Sequence, residues 1–218
     1  MRKKLFGTML LLALCLFAAT AAQATPITIN ITATVSYMDD VLNQLNGQIH
    51  VGSTITGSYT YESTTLDSIP DDPVVGHYRH YSQPYGVSLT VGGFNFETNP
   101  NSVNFLMGIG NVNPGGGADG YWFYSYNNLP LSNGVAVDSI GWQITDNTGT
   151  VFSSDALPTT APIPLTQWQS NNLNIYGAGP DAFFISADVT SAEIVPEPAT
   201  FLLVALGGLL LKKRLTSN

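Results

Sequence analysis

Three aspartates, Asp67, Asp71 and Asp72, crowd a short polar stretch that ends at Pro73. Loops of this kind give carboxylate oxygens to hard cations, which makes this stretch the candidate calcium site in the sequence. It lacks the spacing of an EF-hand and a glycine at the sharp turn, and aspartate beside serine and proline is also ordinary turn chemistry. Histidine offers less. His77 and His80 are three apart in a predicted strand and so point to opposite faces, whereas zinc needs converging ligands, and only His50 remains to join them. The aromatic run 121–126 places Tyr121 and Phe123 on one face of a strand and Trp122, Tyr124 and Tyr126 on the other. One face must enter the core. The other, if exposed, is a stacking platform for sugar rings or a partner sheet; covering by a loop or a neighbouring sheet is the plainer alternative. No nucleophile elbow, metalloprotease helix or carboxylate pair in an evident cleft can be read, so a non-catalytic protein is expected. A hydrolase whose triad only geometry would reveal is the third reading.

These residues sit in a chain that reads as strands from end to end. Ile27, Ile29, Ile31, Ala33, Val35 and Tyr37 alternate with Thr28, Asn30, Thr32, Thr34 and Ser36, the period of a half-buried strand. Alternation resumes over 48–62, with a bend or bulge expected at Gly52-Ser53 and Gly57. Further strands are predicted near 77–81, over 86–91 and 94–97 as a hairpin across Gly92-Gly93, at Val103, Phe105 and Met107, and over 121–126 and 135–145. Residues 150–153 read as a possible partner strand, and 173–176 and 182–189 complete the set; 113–117 reads as a flexible turn. About ten strands and no amphipathic helix predict an all-β domain, an antiparallel β-sandwich that is jelly-roll-like or immunoglobulin-like.

Charge sharpens this picture. Six of the seven basic residues lie at the two ends, so residues 25–197 carry all 15 acids against Arg79 alone. A domain this acidic excludes DNA and RNA as partners, because such binding rests on neutralising phosphates with Lys and Arg. The single cysteine, Cys15, falls in the N-terminal leader, and about 170 residues without a disulfide must be held by a core of ordinary size.

Both termini carry export features. Arg2, Lys3 and Lys4, the apolar stretch 5–19 and Ala22-Gln23-Ala24 predict a signal peptide over 1–24, leaving an exported domain over 25–194. At the other end come Pro196, Glu197 and Pro198, an apolar run over 199–211 and the basic cluster Lys212, Lys213 and Arg214. Thirteen residues of helix span roughly 20 Å against a hydrocarbon core of ~30 Å, so this predicted single transmembrane helix is a marginal anchor. Positive residues stay cytoplasmic, which holds both ends inside while the middle is translocated.

The order Pro-Glu-Pro, hydrophobic helix, basic cluster over 195–215 resembles the C-terminal sorting signal of PEP-CTERM proteins of Gram-negative bacteria. The resemblance implies recognition of the Pro196-Glu197-Pro198 motif by an exosortase-type membrane protease. It also implies inner-membrane anchoring before processing, with Lys212, Lys213 and Arg214 as the stop signal, and then transfer to the cell envelope, surface or extracellular matrix. The expected function is that of an exported surface or matrix protein; the alternative is an exopolysaccharide-binding module using Trp122, Tyr124 and Tyr126. No cofactor is expected beyond the possible calcium.

Overall fold

Alternation in the first strand carries directly into three dimensions: Ile27, Ile29, Ile31, Ala33 and Val35 are buried, and the residues between them face outward. A computed structural model describes residues 26–112, 117–162, 164–179 and 182–196. It contains ten strands: β1 Pro26–Asp39, β2 Thr54–Glu62, β3 Val75–His80, β4 Gly86–Val91, β5 Phe94–Glu97, β6 Phe105–Gly110, β7 Asp119–Ser125, β8 Val137–Asp146, β9 Ser170–Gly177 and β10 Phe184–Ile194. A single 3-10 turn, Leu165–Gln167, is the only helical element among the described residues.

The sequence predicts two sheets, but the ten strands hydrogen-bond as one antiparallel sheet in the order β3-β6-β7-β8-β9-β10-β1-β2-β4-β5. That sheet is curled. Tyr59 on β2 and Phe123 on β7 stand five places apart in the order, which at about 4.8 Å per strand would separate them by about 24 Å on a flat sheet. Their ring centroids are 4.7 Å apart. Tyr59 also packs edge-on against Trp142 of β8, and its hydroxyl lies 2.6 Å from that of Tyr121. The core therefore fills the space between two facing halves of the same sheet.

Local chemistry explains most boundaries. Gly92 and Gly93 both have positive φ, as the tight β4–β5 hairpin requires. The ladder of β2 starts only at Thr54: residues 48–53 form turns closed by Gln48 N–H to Leu45 O and Ser53 N–H to His50 O. Residues 150–153 form no strand; the Asp119 carboxylate, at 2.8 Å from both the Val151 and Phe152 N–H groups, holds them as a loop.

Loops bond to part of each edge strand, which reduces the backbone free to pair with other chains. Beside β3, the His77 N–H donates to Asp67 Oδ1 and the Ser68 N–H to His77 O. Beside β5, the Leu129 N–H donates to Glu97 O, and Thr98 bridges to Asn128. The predicted signal peptide over 1–24, residues 113–116 of the predicted turn over 113–117 and the apolar run 199–211 lie outside the described residues. No helix among the described residues is long and apolar enough to cross a membrane.

A buried histidine ties β3 to β2. His80 is buried, its Nε2 accepts the Glu62 N–H at 3.0 Å, and burial lowers its pKa from the ordinary 6.5. A neutral ring is needed to accept that bond. With the folded pKa below the unfolded one, the stabilisation is full above about pH 6.5 and is lost progressively as pH falls from there through the folded pKa. Thermal melts should show Tm falling below about pH 6.5 in the parent chain. His80→Gln should melt lower at neutral pH and lack this slope; an identical slope in the variant would refute the assignment.

Candidate functional site

The outer, convex side of the curled sheet carries the feature most capable of recognition. On β7, alternation buries Tyr121 and Phe123 and turns Trp122, Tyr124 and the following Tyr126 outward. Tyr124 and Tyr126 stack with centroids 5.8 Å apart and planes at 21°. Glycines beneath let these rings lie down on the sheet. A Cβ at Gly141 would stand 2.4 Å from the Tyr124 ring, and one at Gly108 would stand 2.0 Å from the Trp122 indole. The ring of His77 meets Trp122 edge-on at 6.1 Å.

Three further aromatic residues extend this surface across the bend, and the sequence pattern does not reveal them as a group. Tyr176 of β9 and Phe184 of β10 are directly paired and stacked, with centroids 4.7 Å apart and planes at 25°. Tyr37 of β1 packs against Phe184 at 5.9 Å. By simple alternation Tyr37 belongs with the buried Ile27–Val35 set. A register shift between Val35 and Tyr37 makes Ser36 an extra residue and turns Tyr37 to the outer face, where it is 53% exposed. Tyr126 and Tyr176 are exposed as well, at 46% and 41%.

The pairing registers align this surface into one row across five strands: Tyr124, Gly141, Asn174, Ser186 and Tyr37. Its ends are aromatic and its floor is small or neutral-polar, with Tyr176 and Phe184 in the adjoining row. Four strand spacings make it about 19 Å long. Gln143 accepts a hydrogen bond from the Tyr124 hydroxyl at 3.3 Å. Partial burial raises the Tyr124 pKa, and the phenols of Tyr126 and Tyr176 add to the rise.

The other predicted residues fall elsewhere. Asp67 Oδ1 accepts the Ile69 and His77 N–H groups, Asp72 Oδ1 accepts those of Val74 and Val75, and Asp71 is exposed in the same loop. Two of the three carboxylates thus fasten the backbone. No three His, Cys, Asp or Glu side chains converge as a metal site among the described residues. His77 lies on the outer face, His80 in the interior and His50 in an exposed turn. Thr65 Oγ1 approaches His80 Nε2 at 3.0 Å, but that nitrogen already accepts a backbone N–H, and Glu62 Oε2 is taken by the Tyr85 hydroxyl.

Of the predicted sorting motif, Pro196 is described. It is exposed just beyond β10, after a Val195 N–H to Thr28 O bond of 2.8 Å; Glu197, Pro198, Lys212, Lys213 and Arg214 lie outside the described residues. Comparison with family models, curated proteins and solved structures returns no match.

Gly141 tests how the platform is built. Gly141→Val should push the Tyr124 ring off the sheet and cost about 1–3 kcal/mol by overpacking. Urea denaturation would measure the loss, and near-ultraviolet circular dichroism the change in the tyrosine environment; an unaltered spectrum and midpoint would show that the ring does not rest there.

Proposed function

We propose that this chain is an exported, non-catalytic surface or matrix protein that binds extended, neutral polysaccharide on its convex aromatic face. The observation that carries the reading is the five-strand row from Tyr124 to Tyr37 with Tyr176 and Phe184 beside it. Flat rings present apolar faces to the C–H faces of sugars, while Asn174, Ser186 and Gln143 offer neutral hydrogen-bonding groups to hydroxyls. A convex strip suits a long chain or a polysaccharide surface better than a single sugar, which would favour a concave pocket. Acidic groups outnumber basic ones so heavily that polyanionic glycans would be repelled. The facing halves of the sheet act, in this reading, as the two layers of a sandwich-like domain of the jelly-roll or immunoglobulin kind.

The tail supports the cellular part of the proposal. It serves as a temporary anchor, and an exosortase-type protease recognises Pro196-Glu197-Pro198 at the exposed end of β10 and releases the domain to the envelope or matrix. A short apolar run suffices for a helix needed only until processing.

Binding to a panel of neutral and acidic polysaccharides, measured by affinity electrophoresis, tests the first part. A neutral glycan should retard the protein, and Tyr176→Ala and Tyr124→Ala should each weaken the effect about tenfold, the equivalent of one stacked ring. Failure to bind any neutral member would overturn the reading. Mass spectrometry of the mature surface protein should place its C-terminus near Pro196; an intact basic tail would sink the processing model.

A further inference from the structure

Two buried acceptor oxygens at one end of the sheet have no donor. They are Oδ1 of Asn111 and Oδ1 of Asp119. Asp119 opens β7 and pairs directly with Asp146 at the end of β8. On its other side, β6 and β7 pair as far as Gly110 with Gly120, so Asn111 is the next position along, opposite Asp119. The three residues alternate in phase with Ile109, Tyr121 and Ile144, all of which enter the core. Asn111, Asp119 and Asp146 are themselves buried, at 6%, 0% and 1% exposure. Topology therefore gathers two carboxylates and an amide oxygen into one protected corner.

Part of this acceptor capacity is used. Asp119 Oδ2 takes the Val151 and Phe152 N–H groups, and both oxygens of Asp146 are engaged: Oδ1 by the Thr148 N–H and hydroxyl, and Oδ2 by the Thr148 hydroxyl, the Thr150 N–H and, at 3.5 Å, the Thr150 hydroxyl. What remains is two acceptor oxygens, Asn111 Oδ1 and Asp119 Oδ1, with the charged Asp146 carboxylate beside them. Carboxylates directly opposite on neighbouring strands repel one another, and burial strengthens the repulsion. No basic side chain relieves it: Arg79, the single Lys or Arg of the described residues, is exposed on β3 and paired in register with Leu106. An all-oxygen set with carboxylate charge and a neutral amide suits a hard divalent cation, and the tolerance of calcium for irregular geometry suits ligands drawn from three strands.

We propose that this corner binds one calcium ion, with Asn111 Oδ1 and Asp119 Oδ1 as protein ligands and the Asp146 carboxylate joining them by exchanging its 3.5 Å contact with the Thr150 hydroxyl for the ion. Its ligands are distinct from Asp67, Asp71 and Asp72, although the Asn111 N–H donates to Val74 O at 2.8 Å and so joins the corner to the end of that loop. By tying the β6 end to the 147–152 loop, the ion would clamp the end of the sheet. The competing arrangement turns the Asn111 amide over, so that Nδ2 donates to Asp119 and both oxygens are satisfied without an ion.

Calorimetric titration of the EDTA-treated full chain with calcium chloride separates the two. One ion per chain should bind with a dissociation constant of about 10⁻⁴–10⁻³ M, the range of extracellular modules with few charged ligands, and should raise Tm. Asn111→Leu removes one ligand and should weaken binding at least about tenfold. Asn111→Asp adds a carboxylate and should tighten it while lowering the Tm of the calcium-free protein, an opposite sign that misfolding cannot mimic. Asp71→Asn should change nothing. No heat and no Tm shift in the parent chain, or unchanged affinity in Asn111→Asp, would overturn the site, as would loss of binding in Asp71→Asn.

Discussion

Packing of Tyr59 against Phe123 and Trp142 is the contact on which the rest of the structure depends. It joins strands five places apart in the sheet and so converts an open ribbon of ten strands into a curled one with an interior. Without a disulfide among the described residues, this aromatic seam and the aliphatic rows of β1, β4 and β10 must supply the burial that offsets chain entropy. The hydroxyls of Tyr59 and Tyr121 would be costly in such a place if left alone; they meet each other at 2.6 Å instead. Curling also makes two kinds of surface from one sheet. The concave side is consumed by the core, and the convex side is left to present Tyr124, Tyr176, Phe184 and Tyr37.

Acidic residues play a consistent part in this economy of few charges. Asp40, Asp67, Asp72, Asp119 and Asp146 each accept at least two backbone N–H groups, from a nearby loop or, for Asp67 and Asp72, also from β3. Carboxylates take the place that Lys and Arg bridges occupy in more basic proteins, pinning loops where regular pairing stops. Hydrogen bonds from the Thr148 hydroxyl and the Thr150 N–H hold the Asp146 carboxyl at a pKa of about 2, so it stays charged in this role. The cost of the arrangement is accumulated negative charge at the ends of the sheet. That cost is highest where Asp119 and Asp146 stand side by side.

Much of the secondary structure was legible in the residues because one face of each strand is buried and the other is not. The hairpin across Gly92-Gly93 and the two faces of β7 follow from period-2 alternation and turn chemistry alone. Residues 150–153 were misread as a strand because Thr, Val and Phe favour extended backbone, while the carboxylate that claims their N–H groups comes from Asp119, about thirty positions earlier. Tyr37 was misassigned for a related reason. The register shift that turns it outward arises in the pairing with β10, a partner distant in the chain.

By itself, then, the sequence determined what depends on neighbours in the chain: the strands, the inward and outward faces of β7, the acidic character of the domain, and the export features expected at both ends. Tertiary structure alone decided what depends on register between distant strands. It made one curled sheet where alternation permits two. It extended the aromatic face of Tyr124 and Tyr126 over five strands to Tyr37, and it set Asn111, Asp119 and Asp146 in one corner. Alternation specifies which way a side chain points relative to its own strand, but only long-range pairing specifies what it points beside.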